Sequence, residues 1–185
     1  MHLDKDAWSQ ALLLFEDAYV ISLVGPRSHQ DWQEDALPVM RREASDPRGF
    51  DCILPDEYER ATEGPFFPFA PVAPEELDRY LSVVHPDAAA RLLVAMSCDE
   101  SFRADRIPGF PGNREHLLDR ARTLLSRFLP GGTLLTNSTY ARSDPAHDYL
   151  RQASGSHPYV TLGHDLGLIA VTEDEVGLFW SVDAR

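Results

Sequence analysis

Trp8, Leu12, Phe15, Tyr19 and Ser22 recur at intervals of three and four residues, the spacing that stacks side chains on one face of an α-helix. Asp4 and Asp6 stand where carboxylates complement a helix N-terminus, and Gly25-Pro26 stops the run, so an amphipathic first helix is expected up to that point. A second helix is expected from Ser28 through DWQEDALPVMRREA, kinked or divided at Pro38. The stretch LPDEYERATEG has proline near its start and glycine at its end, which predicts a short helix. PEELDRYLSVV and PDAAARLLVAM predict two more, each with proline at the first helical position. RIPGFPGN then reads as an exposed, turn-rich loop. Asn113 is expected to cap the clearest helix, with Leu117, Leu118, Ala121, Leu124, Leu125 and Phe128 on one face. Arg114, Arg120, Arg122 and Arg127 lie largely away from that face.

After Pro130-Gly131-Gly132 the pattern shortens to β-like runs: TLLT, YVTL, LIAV and VGLFWSV, with a helical DPAHDYLRQA after the first. In the last run Val176, Leu178, Trp180 and Val182 alternate with Gly177, Phe179 and Ser181, the period of two that gives a strand distinct faces. Thr172 to Glu175, TEDE, is the turn between the last two strands. The expected fold class is α+β in one domain over residues 1–185. Its helix-rich N-terminal two-thirds would pack on a small, mainly antiparallel C-terminal sheet of three to four strands, with helices on one face.

Between the two patterns lies PFFPFAPVAP, with Pro65, Pro68, Pro71 and Pro74 spaced by three, the period of a polyproline II helix. The segment carries no charge and holds Phe66, Phe67 and Phe69. An exposed docking peptide needs a polar setting, whereas these rings gain by burial, so the segment is expected to be a strut across the protein's own core. Just before it, the residues from Leu54 to Tyr58 read LPDEY. This resembles the LPxxY helix of a family of immunity-type proteins. The glycine-rich, acidic strand region that follows in that family is replaced here by the prolines, and its functions are not carried over.

Hydrophobic residues make up 43% and charged residues 25% of the 185, ordinary usage for a folded domain. Charge changes the picture more. With 17 basic against 30 acidic residues the net charge is −13, which repels nucleic acid and anionic membranes, so neither is expected as a partner. Residues 1–65 hold 14 acids against 6 bases, which places any acidic face toward the N-terminal third. The start, MHLDKDAWSQ, has acids where a signal peptide needs bases, and Glu16-Asp17 interrupt the apolar run that follows; a cytoplasmic location is expected. Cys52 and Cys98, far apart and outside any metal-type spacing, are expected to be reduced, buried thiols.

Neither a phosphate-cradling glycine loop nor a GxSxG elbow occurs in the sequence, so no catalytic residue, metal ligand or cofactor is assigned. The polar set closest to a metal site is His116, His147-Asp148 and His164-Asp165. Asp144 and Pro145 account for His147 as part of a helix start, and LGHDLG reads as a β-turn. The function these features favour is binding: a cytoplasmic bacterial protein acting on another macromolecule, of the acidic immunity or inhibitor type that neutralises a basic toxin or enzyme. Its contacts would come from Asp56, Glu57 and Glu59 and from Glu173, Asp174 and Glu175. The alternative is a small hydrolase or metal-dependent enzyme using His147, Asp148 and His164. Oligomeric state is left open.

Overall fold

The computed structural model describes residues 3–54, 64–98, 102–153, 155–160 and 163–183. Asp4 accepts a hydrogen bond from the Ala7 N–H at 2.9 Å and starts α1 (Lys5–Leu12), the side-chain cap that satisfies an orphan donor. A 3₁₀ turn over Leu13–Phe15 follows, the chain turns at Glu16 and Asp17, and β1 (Val20–Pro26) begins. The helical spacing through Tyr19 and Ser22 therefore ends early. Val20 to Gly25 are all buried, and a strand covered on both faces carries no period of two that would separate it from a helix. α2 (Trp32–Met40) accommodates Pro38 in its last turn and stops two residues later, where Arg41 caps back to Leu37.

Beyond the proline segment come α3 (Pro74–Leu77), β2 (Ser82–Val83), α4 (Pro86–Met96), α5 (Phe110–Leu125), β3 (Thr133–Thr136), β4 (His164–Val171) and β5 (Glu175–Asp183). α5 starts earlier than Asn113, from Gly109 in the left-handed conformation, so the second half of the predicted loop is the first turn of the helix. DPAHDYLRQA is a succession of turns, and PEELDRYLSVV splits into α3 and β2. The helix predicted over LPDEYERATEG falls on residues 55–63, outside the described residues. Among the described residues no helix is long and apolar enough to cross a membrane.

The expected C-terminal sheet of three to four strands is corrected by a single antiparallel sheet of five, in the order β1-β5-β4-β3-β2. Two strands come from the part of the chain read as purely helical, and both end up as edges. Each face of the sheet is also covered, where helices on one face alone were expected. Val20, Leu134, Leu168 and Phe179 face one cluster with Trp8, Leu92, Leu93, Leu124 and Phe128. Ile21, Ile169, Leu178 and Trp180 face a second cluster with Leu37, Met40, Phe69, Leu77 and Tyr159. Two glycines let the largest rings reach the sheet: a Cβ on Gly167 would enter the Trp180 indole, and one on Gly177 would enter the Phe128 ring.

The proline segment covers that second face, though not as a polyproline ladder. Pro65 to Pro68 form a turn closed by Phe69 N–H to the Phe66 carbonyl at 2.7 Å. Phe69 then bridges to Val160, and Ala70 N–H donates to Tyr159 O at 2.7 Å. Phe69 is buried edge-on to Trp180, ring centroids 5.5 Å apart. Phe66 and Phe67 are only half-buried, and the Arg41 guanidinium lies over Phe66 at 4.8 Å. The strut is real at Phe69, and backbone pairing ties it down, which its sequence did not suggest.

Candidate functional site

The β4–β5 hairpin is closed by Thr172, whose hydroxyl accepts from the N–H groups of Asp174 at 3.2 Å and Glu175 at 2.9 Å. This leaves Glu173 and Asp174 exposed at the tip. The loop after β1 is held against it: Arg27 N–H donates to Asp174 O at 2.7 Å, and the guanidinium donates to the carbonyls of Thr172, His29 and Gln30. Asp31 and Glu34, both exposed, follow in that loop and the start of α2. Four exposed carboxylates thus share one end of the sheet, around an arginine whose donors are largely taken up by main-chain oxygens.

Glu175 belongs elsewhere. It is buried, and its carboxylate receives Arg127 Nε at 2.8 Å and Arg48 Nε at 2.9 Å. Arg127 also donates two bonds to Asp46, at 2.7 and 3.0 Å, and lies 5.0 Å from the Trp8 ring centroid. Of the six acidic residues predicted as contacts, Glu173 and Asp174 are therefore on the surface, Glu175 is an internal counter-ion, and Asp56, Glu57 and Glu59 lie outside the described residues.

The histidine set does not converge. His147 stacks on Tyr140 at 4.4 Å and uses Nε2 on the Gln152 carbonyl, while Asp148 faces Arg91 at 3.5 Å. His164 opens β4 in register with Asp183, and His116 lies in a groove between α1 and α5. Among the described residues no group of three His, Cys, Asp or Glu side chains is placed to hold a metal ion. Asp165, read as a turn residue, is a fully buried strand residue. It accepts from Tyr159 N–H at 2.7 Å, Trp180 Nε1 at 2.9 Å and Asn137 Nδ2 at 3.2 Å. Burial pushes its carboxyl above the usual range despite the Tyr159 and Trp180 donors, and burial raises Tyr159 to about 12. Cys98 is buried as expected; Cys52 is exposed, its thiol pushed up by desolvation and by Asp46 and Asp51, which keeps it protonated.

Two features escaped the sequence. The first is at the N-terminus of α2, where buried Asp35 accepts from His29 Nδ1 at 2.7 Å, Ser28 Oγ at 3.0 Å and both of those residues' N–H groups. The Asp35 bond holds His29 above its ordinary value. Burial pushes Asp35 up, but His29 and the backbone donors together outweigh it and hold the carboxyl low. Ser28 lies on the Nδ1 side of the imidazole, away from the nitrogen that would activate a hydroxyl, so the cluster caps a helix rather than building a nucleophile.

The second feature is a cleft of about 400 Å³ lined by Arg79, Tyr80, Leu81, Ser82, Ser138, Thr139, Arg142 and His157. These come from three stretches of chain. One signal was available, in that each of the three holds an arginine or histidine beside a hydroxyl residue, but nothing in the spacing brings them together. Searched against models of protein families, against curated proteins and against solved structures, the chain matches none of them.

Proposed function

We propose that the protein acts by binding a basic macromolecule, in the manner of an acidic inhibitor or immunity-type protein that neutralises a basic toxin or enzyme. The observation that carries this reading is the acidic end of the sheet. Asp31, Glu173 and Asp174 present carboxylates, with Glu34 beside them 3.7 Å from His29 Nε2, and Arg27 is committed to main-chain carbonyls and to buried Asp35. The net charge of −13 adds a long-range field of the same sign. Such a field accelerates encounter with a cationic partner and selects against anionic ones, and rim carboxylates contribute more to association rate than to dwell time.

The test is affinity purification at low salt from the native cell, using the parent and the Glu173→Lys/Asp174→Lys double variant. A basic protein in stoichiometric amount should accompany the parent, leave as salt is raised, and be lost from the variant. A parent that returns alone, or a partner held equally by both proteins, would overturn the proposal.

A further inference from the structure

We propose that the cleft between Arg79 and Arg142 is a binding site for a small organic phosphate monoester. Contacts with neighbouring main chain fix its walls. The Tyr159 hydroxyl donates to Leu77 O at 2.7 Å and holds the segment that carries Arg79 and Tyr80. Buried Asn137 donates to His157 O at 2.9 Å and accepts the His157 N–H at 2.9 Å, which sets the opposite wall. Ser138, buried beside it, pairs with Ser156, and Thr139 N–H donates to Gly155 O at 2.9 Å. A cleft braced this way needs little reordering to receive a ligand.

Its chemistry is one-sided. The lining holds two guanidinium groups, an imidazole and four hydroxyls, and no carboxylate. Elsewhere arginines find acids, as Arg48 does in Glu175, Arg91 in Asp148 and Arg103 in Asp105. In a chain with 30 acids against 17 bases, Arg79 and Arg142 have no carboxylate partner among the described residues. The Arg79 guanidinium carbon lies 5.3 Å from the Tyr80 ring centroid, a contact with the ring that takes up none of its N–H donors, and the guanidinium fork is the geometry that phosphate oxygens favour. Two permanent cations match a phosphate dianion better than a single carboxylate. Tyr80 is itself tilted on His157 at 4.8 Å, and this pair offers an apolar face to the organic part of the ester. The cleft's volume suits a molecule of sugar-phosphate to mononucleotide size.

Calorimetry at about 0.15 M salt, where long-range repulsion is screened to within about 8 Å, should find saturable binding of ribose 5-phosphate and none of ribose or acetate. Arg79→Gln and Arg142→Gln, both surface changes, should each weaken binding about tenfold or more without moving the unliganded melting temperature. His157 ring protons should shift on titration in the parent and not in the double variant. Absence of saturable binding by ribose 5-phosphate, or equal affinity in the variants, overturns the proposal. So does binding of a phosphoserine peptide in place of ribose 5-phosphate, which would assign the cleft to a protein partner.

Discussion

Arg127 has no exposed side-chain surface and sits between Asp46 and Glu175 with hydrogen bonds to both. Removing one member of such a cluster strands the others in a poorly solvated place, so Arg127→Ala should cost about 3–5 kcal/mol in urea denaturation. Arg127→Lys should recover only part of this, because an ammonium cannot reproduce paired contacts to two carboxylates. Glu173→Gln, two residues from Glu175 and exposed, should stay within about 0.5 kcal/mol of the parent. The two glutamates are indistinguishable in the sequence TEDE. Their roles separate only because strand alternation turns Glu175 inward, toward an arginine that helical spacing had assigned to the solvent side. Gly167 and Gly177 are a second case, since a glycine in a strand run gives no hint of which ring lies on it. Gly167→Ala must displace the Trp180 indole and should cost about 1–3 kcal/mol by the same measurement.

α5 was legible because one face is wet and its apolar positions recur at helical spacing. α4 and β5 are buried nearly all round and were legible for other reasons, a proline in the first turn of α4 and the alternation of large side chains with Gly177 and Ser181 in β5. β1 was hidden by double-sided burial, and β2 by its length of two residues, too short to express any period. The sheet therefore appeared smaller and one-sided, and the cleft beside β2 could not be read at all. The proline segment was legible as a strut but not in its path: Phe69→Ala should cost about 3–5 kcal/mol because the ring is buried on Trp180, whereas Phe66 and Phe67, half-exposed, should cost clearly less. The α2 N-terminus makes a pH prediction with a definite sign. His29 is raised in the folded state, so its contribution is complete below its unfolded value of about 6.5 and is lost as pH rises through the folded one. Asp35 is lowered, so its contribution is complete above about 3.9 and is lost as pH falls through its folded value. A His29→Gln variant should thus be less stable than the parent below the unfolded value of about 6.5, with the gap closing as pH rises through the raised folded value. A gap that stayed constant across that range would remove the ion pair from the account.

On the scale of the whole molecule, a net charge of −13 is an excess that the ion pairs do not absorb. Its self-repulsion is largely relieved in the extended unfolded chain, so it opposes folding. Buried pairs such as Arg127 with Glu175 lie beyond the reach of dissolved ions, while the exposed carboxylates at the end of the sheet are within it. Raising sodium chloride from about 0.01 M to about 0.1 M shortens the screening length from about 30 Å to about 10 Å. That weakens repulsion across the surface and leaves the buried cluster almost unchanged. The melting temperature should rise over that interval by about 2–4 °C, the shift that about 1 kcal/mol makes in a domain of this size. The Glu173→Lys/Asp174→Lys variant, with less acidic excess, should gain less. A melting temperature that falls with salt would mean that exposed pairs such as Lys5–Asp51 and Arg103–Asp105 outweigh the net repulsion. In that case the acidic end of the sheet would be locally compensated rather than a source of the field on which partner capture depends.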